Sequence, residues 1–280
     1  MPRLYRGTPG PAPTRLHDGL AVHGPAPASW FLANATPDVA EQLENHPDLR
    51  PAASHARTPV VRAVLTDAEL DHVLGLFRLR EASRIEVWAT EPVRLALLSR
   101  LRLDTVLAPY TPLIWHDLPL IGEARPATVA GLDAEALPLS AKRPRYAAGE
   151  PDDPAWSVAL RVHDPHTRGT ALYAPALAAW SDGFGKAAAR TDCLLLDGTF
   201  LYEDEPRRTG ISEGTASGMG HLPIEGPLGT ARQPARSAPA RSFYTHLNNT
   251  NPLTDPADPA HERPARPRLR VAVESTVISL

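Results

Sequence analysis

Three times along this 280-residue chain an apolar run stops at side chains able to hold a metal or a proton. Val60 to Leu65 leads into Thr66-Asp67-Ala68-Glu69-Leu70-Asp71-His72. Asp192 to Leu196 leads into Asp197-Gly198-Thr199-Phe200. Phe243 to Leu247 carries His246 near its end and continues as Asn248-Asn249-Thr250-Asn251-Pro252. Short continuous apolar runs of this kind read as strands covered on both faces. Polar loops just past the C-terminal ends of such strands are where α/β sheets place ligands. The pattern thus favours an α/β architecture with several strand ends feeding one functional edge.

The remaining segments alternate. Ala28 to Ala35 has strand composition, and Pro37-Asp38 opens a short helix towards Leu43, with proline at an early helical position. Leu70 to Leu79 reads as one helix with Leu70, Val73, Leu74 and Phe77 on its apolar face. Ile85 to Ala89 is a strand, and Glu91 to Ser99 a helix turning Val93, Leu97 and Leu98 inward. Val106 to Leu120, broken by Pro109 and Pro112, reads as extended and edge-like. Thr128 to Leu139, Ser157 to Asp164 and Gly169 to Ala174 carry strand signals, Pro175 to Arg190 a glycine-interrupted helix, and Leu269 to Leu280 a last pair of strands. Helices on the outer faces of a mixed sheet fit this order.

Composition narrows the function. Hydrophobic residues make up 42% of the chain, which suits a globular protein, and 280 residues are ample for a core. The formal net charge of -3 comes without any aromatic-interleaved basic stripe, so nucleic acid is not an expected partner. No run approaches the ~20 apolar residues of a spanning helix, and Met1-Pro2-Arg3-Leu4-Tyr5-Arg6 lacks a signal-peptide stretch. A cytoplasmic protein with no membrane partner is expected. The 31 prolines sit mostly in connections, and with no long linker a single domain over 1–280 is the simplest division. Cys193 is the one cysteine, so neither an internal disulfide nor a cysteine-based structural zinc site can form. Set among leucines, it reads as a buried small hydrophobe.

The loop after the first apolar run resembles the His-x-His-x-Asp-His signature of metallo-β-lactamase-fold enzymes. Asp71-His72 align with its final Asp-His, and Asp67 and Glu69 stand where the two leading histidines would be. Within that superfamily the chain is similar to the coenzyme PQQ synthesis protein B family. The likeness is carried by Trp30 to Asp38, Leu65 to Glu81, Leu194 to Phe200, Met219-Gly220-His221-Leu222-Pro223-Ile224 and His246 to Pro252. It implies a metallo-β-lactamase-like αββα sandwich. The family's glycine-rich first strand and cysteine zinc cluster have no counterpart here, Tyr5-Arg6-Gly7 matching the region beyond them, so the fold is expected to be N-terminally shortened.

The resemblance implies Asp71, His72, Asp197 and His246 as metal ligands, and no imidazole for the first metal of two-metal members. Two imidazoles with one or two carboxylates suit non-haem Fe(II), with zinc as the alternative metal. The implied activity is hydroxylation, with dioxygen, of a tyrosine-derived ring in a peptide-derived precursor of pyrroloquinoline quinone. Asp67 and Glu69 are candidates for orienting the ligands, and His221 for a proton donor or substrate contact. Asn248, Asn249 and Asn251 are expected to bond backbone in the turn that aims His246. Partners would be a small aromatic substrate derived from a peptide or amino acid, dioxygen, and a second copy in a homodimer.

Plainer readings stand beside these. Asp71 could cap a helix, Asp67 and Glu69 could answer a helix dipole, Asp197-Gly198 could be an ordinary turn and His221 an ordinary loop histidine. His116, His163, His166 and His261 read as solvated, and Trp30, Trp88, Trp115, Trp156 and Trp180 as packing. A metal-dependent hydrolase or phosphodiesterase of the same fold is the alternative function. A non-catalytic quinone- or peptide-binding paralogue is the other.

Overall fold

The computed structural model describes residues 16–27, 29–50, 60–123, 125–233, 241–262 and 269–280. Tyr5-Arg6-Gly7 lies outside the described residues. Two compact units are formed, one by Asp18–Thr170 and one by Ala171–Leu280.

The first unit holds a five-stranded sheet in the order β1-β2-β3-β4-β5. β1 (Leu20–His23) pairs antiparallel with β2 (Trp30–Ala33), and β3 (Val61–Val64), β4 (Ile85–Ala89) and β5 (Leu113–Asp117) follow in parallel. The parallel links carry helices: α1 (Val39–Asn45), α2 (Leu70–Val73), α3 (Gly75–Arg78), α4 (Glu91–Ser99) and α5 (Leu103–Leu107). Val39, Val73, Leu76, Val93, Leu97, Leu103 and Leu107 pack with Ala63, Leu65, Ile85 and Val87 in one buried cluster that also takes in Trp156. Three further strands, β6 (Ala127–Val129), β7 (Leu132–Ser140) and β8 (Ser157–His163), run antiparallel. The turn between β6 and β7 is Ala130-Gly131, with φ of 55° and 85°, the paired positive values that tight hairpins need.

Several expectations change. Leu70–Leu79 is two four-residue helices, because Gly75 is pressed against the chain after β2. Its amide donates to Ala35 O at 2.8 Å, and a Cβ there would stand 2.1 Å from Thr36 O. The inward residues are Val73 and Leu76, while Leu70 and Leu74 are exposed. Val106–Leu120 is not extended throughout: α5 takes its start, and only Leu113–Asp117 forms the edge strand. His116 is not simply solvated. Its ring stacks on Trp88, its register partner on β4, with centroids 4.4 Å apart. Trp156 and Trp88 are buried, as packing residues should be.

The second unit is a parallel run of β9 (Thr170–Ala174), β10 (Cys193–Asp197), β11 (Arg241–Thr245) and β12 (Leu269–Val271). Every residue of β10 is buried, which is why it reads as an unbroken apolar run. Cys193 is 1% exposed, and burial pushes its thiol up to about 11. The expected helix over Pro175–Arg190 shrinks to α6 (Asp182–Ala188), which starts where the Ser181 hydroxyl accepts from Phe184 N. A short α7 (Glu205–Arg208) follows β10. Only one strand, β12, forms in the last twelve residues. None of the described helices is long and apolar enough to cross a membrane.

Candidate metal centre

In the second unit, β10 and β11 run parallel with Asp197 opposite Thr245. Their C-terminal ends are therefore level, and the next residue after Thr245 is His246. His246 has φ of 55°, a left-handed conformation that non-glycine residues adopt only when held. Its turn is held from the β10 side. Gly198 N donates to Thr245 O at 2.8 Å, Asn248 N to Thr199 O at 3.1 Å, and Asn251 Nδ2 to Gly198 O at 2.7 Å. Asn251 Oδ1 also accepts from Leu253 N at 3.0 Å. The side chain of Asn248 does not bond backbone as expected; it donates to Thr250 Oγ1 at 2.9 Å. Glu205, wholly buried, accepts from Leu201 N and from Thr250 Oγ1, each at 2.7 Å, and so ties the loop after β10 to the loop after β11. Burial pushes its carboxyl above the ordinary value.

Asp197, Thr199, His221 and His246 meet at these strand ends. Asp197 is wholly buried. Its Oδ1 accepts from Thr199 N at 3.0 Å and Thr199 Oγ1 at 2.6 Å. Its Oδ2 accepts from Leu177 N at 2.8 Å and lies 2.8 Å from His221 Nδ1. Those four contacts use the full acceptor capacity of a carboxylate, so Asp197 can reach a cation only by giving one up. Burial alone would raise its carboxyl, but His221, its hydrogen bond, His246 and Thr199 together hold it below the usual carboxylate range. The rings of His221 and His246 stack with centroids 5.6 Å apart. One ligand atom each from Asp197, His221 and His246 lies within 4.8 Å of the others. Two imidazoles and a carboxylate at that spacing fit Fe(II) or Zn(II).

In the first unit, Asp67, Glu69, Asp71 and His72 follow β3. His72 is buried on α2, and its Nδ1 lies 2.8 Å from both oxygens of Asp67. Asp67 Oδ1 also accepts from Glu69 N at 2.9 Å. Behind it, Thr66 Oγ1 lies 3.1 Å from Asp67 Oδ2, and Asn34 Oδ1 accepts from Thr66 N at 3.0 Å. Burial is the largest single influence on both members of the pair and opposes both charges. The mutual attraction wins: His72 rises to about 10, and Asp67 falls below its ordinary value. Glu69 is raised, by burial first and by the charges of Asp67 and Asp71, with Lys142 Nζ at 3.8 Å working the other way. Tyr146 donates to Ala68 O at 2.5 Å and braces this loop. Asp71 lies inside α2 rather than at its N-cap, which is Glu69.

Thr199, Asn34, Thr66 and Tyr146 were not assigned roles by the sequence. Thr199 sits inside the Asp-Gly-Thr run, and its proximity to two histidines depends on a strand register the sequence does not display. Of the expected ligands, Asp197 and His246 come together with His221 in the second unit, and Asp71 and His72 share α2 in the first.

A beta-lactamase superfamily domain matches residues 29–247, and the strands, helices and acid–imidazole clusters described above belong to a metallo-β-lactamase fold. Within that superfamily the chain belongs to the coenzyme PQQ synthesis protein B family. It is 36% identical to coenzyme PQQ synthesis protein B of Azoarcus sp. (strain BH72), over 99% of this chain and 91% of the relative. It is 34% identical to the protein of that name from Cupriavidus necator, with the same two coverages. Among solved structures it matches Zn(2+)-bound PqqB from Methylobacterium extorquens with a TM-score of 0.81 at 24% identity, over 96% of this chain and 89% of that one. A diphosphatase of the PhnP family matches with a TM-score of 0.64 at 16% identity, over 98% and 88%.

Proposed function

We propose that this protein is a metal-dependent oxygenase of pyrroloquinoline quinone biosynthesis, which adds oxygen to a tyrosine-derived ring of a peptide-derived precursor. Family membership supports the pathway. The donor set supports the metal. The observation that carries the one-metal reading is the contact of Asp67 with His72. Two-metal members place a histidine where Asp67 stands. Here that position is occupied by a carboxylate directed at His72 Nδ1, where it fixes the ring instead of binding a first metal.

Asp197 and His246 are the proposed donors from the second unit. Asp71 and His72 are assigned by the sequence resemblance. Iron held by the Asp197 and His246 donors would supply the activation of dioxygen. The protein's own part is to keep the imidazoles oriented and to move a proton at the substrate. His221, whose Nδ1 lies at hydrogen-bonding distance from Asp197 and Thr199, is the group proposed for that transfer.

Anaerobic reconstitution with Fe(II), followed by metal analysis and turnover with tyrosine-bearing precursor peptides, tests the reading. About one iron per chain and dioxygen-dependent hydroxylation are expected. His72→Ala and His246→Ala should each abolish iron uptake. Uptake of roughly two zinc or manganese ions per chain with phosphodiester cleavage would overturn the proposal in favour of a hydrolase.

A further inference from the structure

Glu205 is wholly buried and has no part in the steps assigned above. Its carboxylate stands where three loops of the second unit meet. Oε2 accepts from Leu201 N and Oε1 from Thr250 Oγ1, each at 2.7 Å. The Leu201 arm leads to His221. Ile224 N donates to Phe200 O at 3.0 Å and Glu225 N to Leu201 O at 2.9 Å, so the chain leaving His221 is laid along Phe200-Leu201. The Thr250 arm leads to His246. Thr250 Oγ1 gives its hydrogen to Glu205 and accepts from Asn248 Nδ2 at 2.9 Å. Asn251 N closes this turn on Asn248 O at 2.9 Å. The turn is also attached to Thr199 O by Asn248 N and to Gly198 O by Asn251 Nδ2. Those two points are adjacent residues at one strand end, and a loop held at neighbouring points can still pivot about them. Glu205, on α7, supplies a third point.

We infer that Glu205 is a positioning residue that sets the His221 loop and the His246 turn relative to each other, and so fixes the stacked placement of the two rings, 5.6 Å apart. It acts through Leu201 and Thr250. The position calls for a carboxylate. Each contact brings a hydrogen, an amide N–H to one oxygen and a hydroxyl to the other, so both oxygens must accept. Glutamine has the same shape but one accepting oxygen and one NH2 group. Turned one way, it sets NH2 against Leu201 N–H. Turned the other way, it leaves the Thr250 hydrogen without an acceptor. Burying a carboxylate is costly unless its lone pairs are filled, and here hydrogens from both loops fill them.

The loop-setting role stands on these contacts, whereas its effect on metal affinity rests on the reading above that His246 is a donor. Amide hydrogen exchange of the metal-stripped protein tests the role itself. In Glu205→Gln and in Thr250→Val the Asn248 amide should exchange about tenfold faster than in the wild type, through opening of the turn alone. In Glu205→Gln the amides of Ile224 and Glu225 should accelerate as well. Thr250→Ser, which keeps the hydroxyl, should restore the wild-type rate at Asn248. Thr111→Val is the control for lost stability. It removes a buried hydroxyl bond to Ala82 O at 2.8 Å in the first unit, and should leave all three amides unchanged. Zinc affinity by chelator competition should fall about tenfold in Glu205→Gln and Thr250→Val, recover in Thr250→Ser and hold in Thr111→Val. Wild-type exchange at Asn248 in Thr250→Val overturns the inference, and so does equal acceleration in Thr111→Val. Thr250→Val removes a single arm, so it decides the matter even where Glu205→Gln does not fold. Accelerated exchange in a protein whose wild type takes up no zinc would uphold the loop-setting role and overturn the metal reading.

Discussion

His72 Nδ1 stands 2.8 Å from each carboxylate oxygen of Asp67, both side chains being buried. The pair stabilises the metal-free protein as an ion pair, and its pH dependence follows from the two shifts. His72 is raised to about 10 from an ordinary value of roughly 6.5, so its contribution is full below the ordinary value and fades as pH climbs through 10. Asp67 is lowered, so its contribution is full above an ordinary value of about 3.9 and is lost as pH falls through its depressed one. Asp67→Asn should therefore cost most between those two ordinary values, about 3–5 kcal/mol, as expected for breaking a buried pair. Denaturant unfolding of the metal-stripped wild type and variant across pH measures the gap. It should narrow on both sides of that window, and a gap independent of pH would contradict the pairing.

The same pair sets the proton cost of metal uptake. A ligating imidazole is neutral, but His72 in the metal-free protein holds its proton until about pH 10. If His72 ligates, uptake near neutrality releases about one proton from it, and affinity rises with pH by up to tenfold per unit. Calorimetry in two buffers of different ionisation heat reads the proton count. His72→Gln should remove that released proton along with most of the affinity.

How far the sequence exposed all this depends on whether the cause was local. β10 was readable because a strand covered on both faces is written as a continuous apolar run, and Asp197 was readable because it ends that run. The break at Gly75 was not. A helical period passes straight through it, and what splits α2 from α3 is the chain after β2, where the carbonyl of Ala35, forty residues earlier, takes the Gly75 amide. His116 looked solvated beside Asp117, yet register places it against Trp88 on β4. Thr199 is the sharpest case. Its hydroxyl meets His246 only because Asp197 pairs with Thr245, and register between distant strands is not legible in one sequence.

Cys193 offers a check on the β10 core. The thiol is 1% exposed and is pushed up to about 11 by burial, so little thiolate exists near neutrality. Iodoacetamide should leave the native protein unmodified, as read by intact mass, and should add one label after denaturation. Rapid labelling of the folded protein would show that β10 opens or is misplaced.

Gly198 supports the most specific structural prediction. An added Cβ would lie 2.7 Å from Thr245 O and 3.1 Å from Tyr244 Cβ, and both belong to the strand that delivers His246. The first obstacle is backbone, so relief requires β10 and β11 to separate at their ends. That movement would stretch the Gly198 N to Thr245 O bond and pull Asn251 from Gly198 O. Gly198→Ala should cost about 1–3 kcal/mol, as overpacking of a filled site does. It should also weaken zinc binding, because the turn at His246 moves with the strand end. Gly149→Ala is the matched control. Its nearest neighbour would be Arg100 Nη2 at 3.9 Å, so its effect should stay within about 0.5 kcal/mol with zinc affinity unchanged. Asn251→Ala strikes the same junction without a clash, leaving Gly198 O short of a buried donor at about 1–3 kcal/mol. Since Gly198→Ala already disturbs that bond, combining the two should cost less than their sum. Strict additivity, or a Gly198→Ala protein as stable as Gly149→Ala, would mean that the strand ends are not what aims His246.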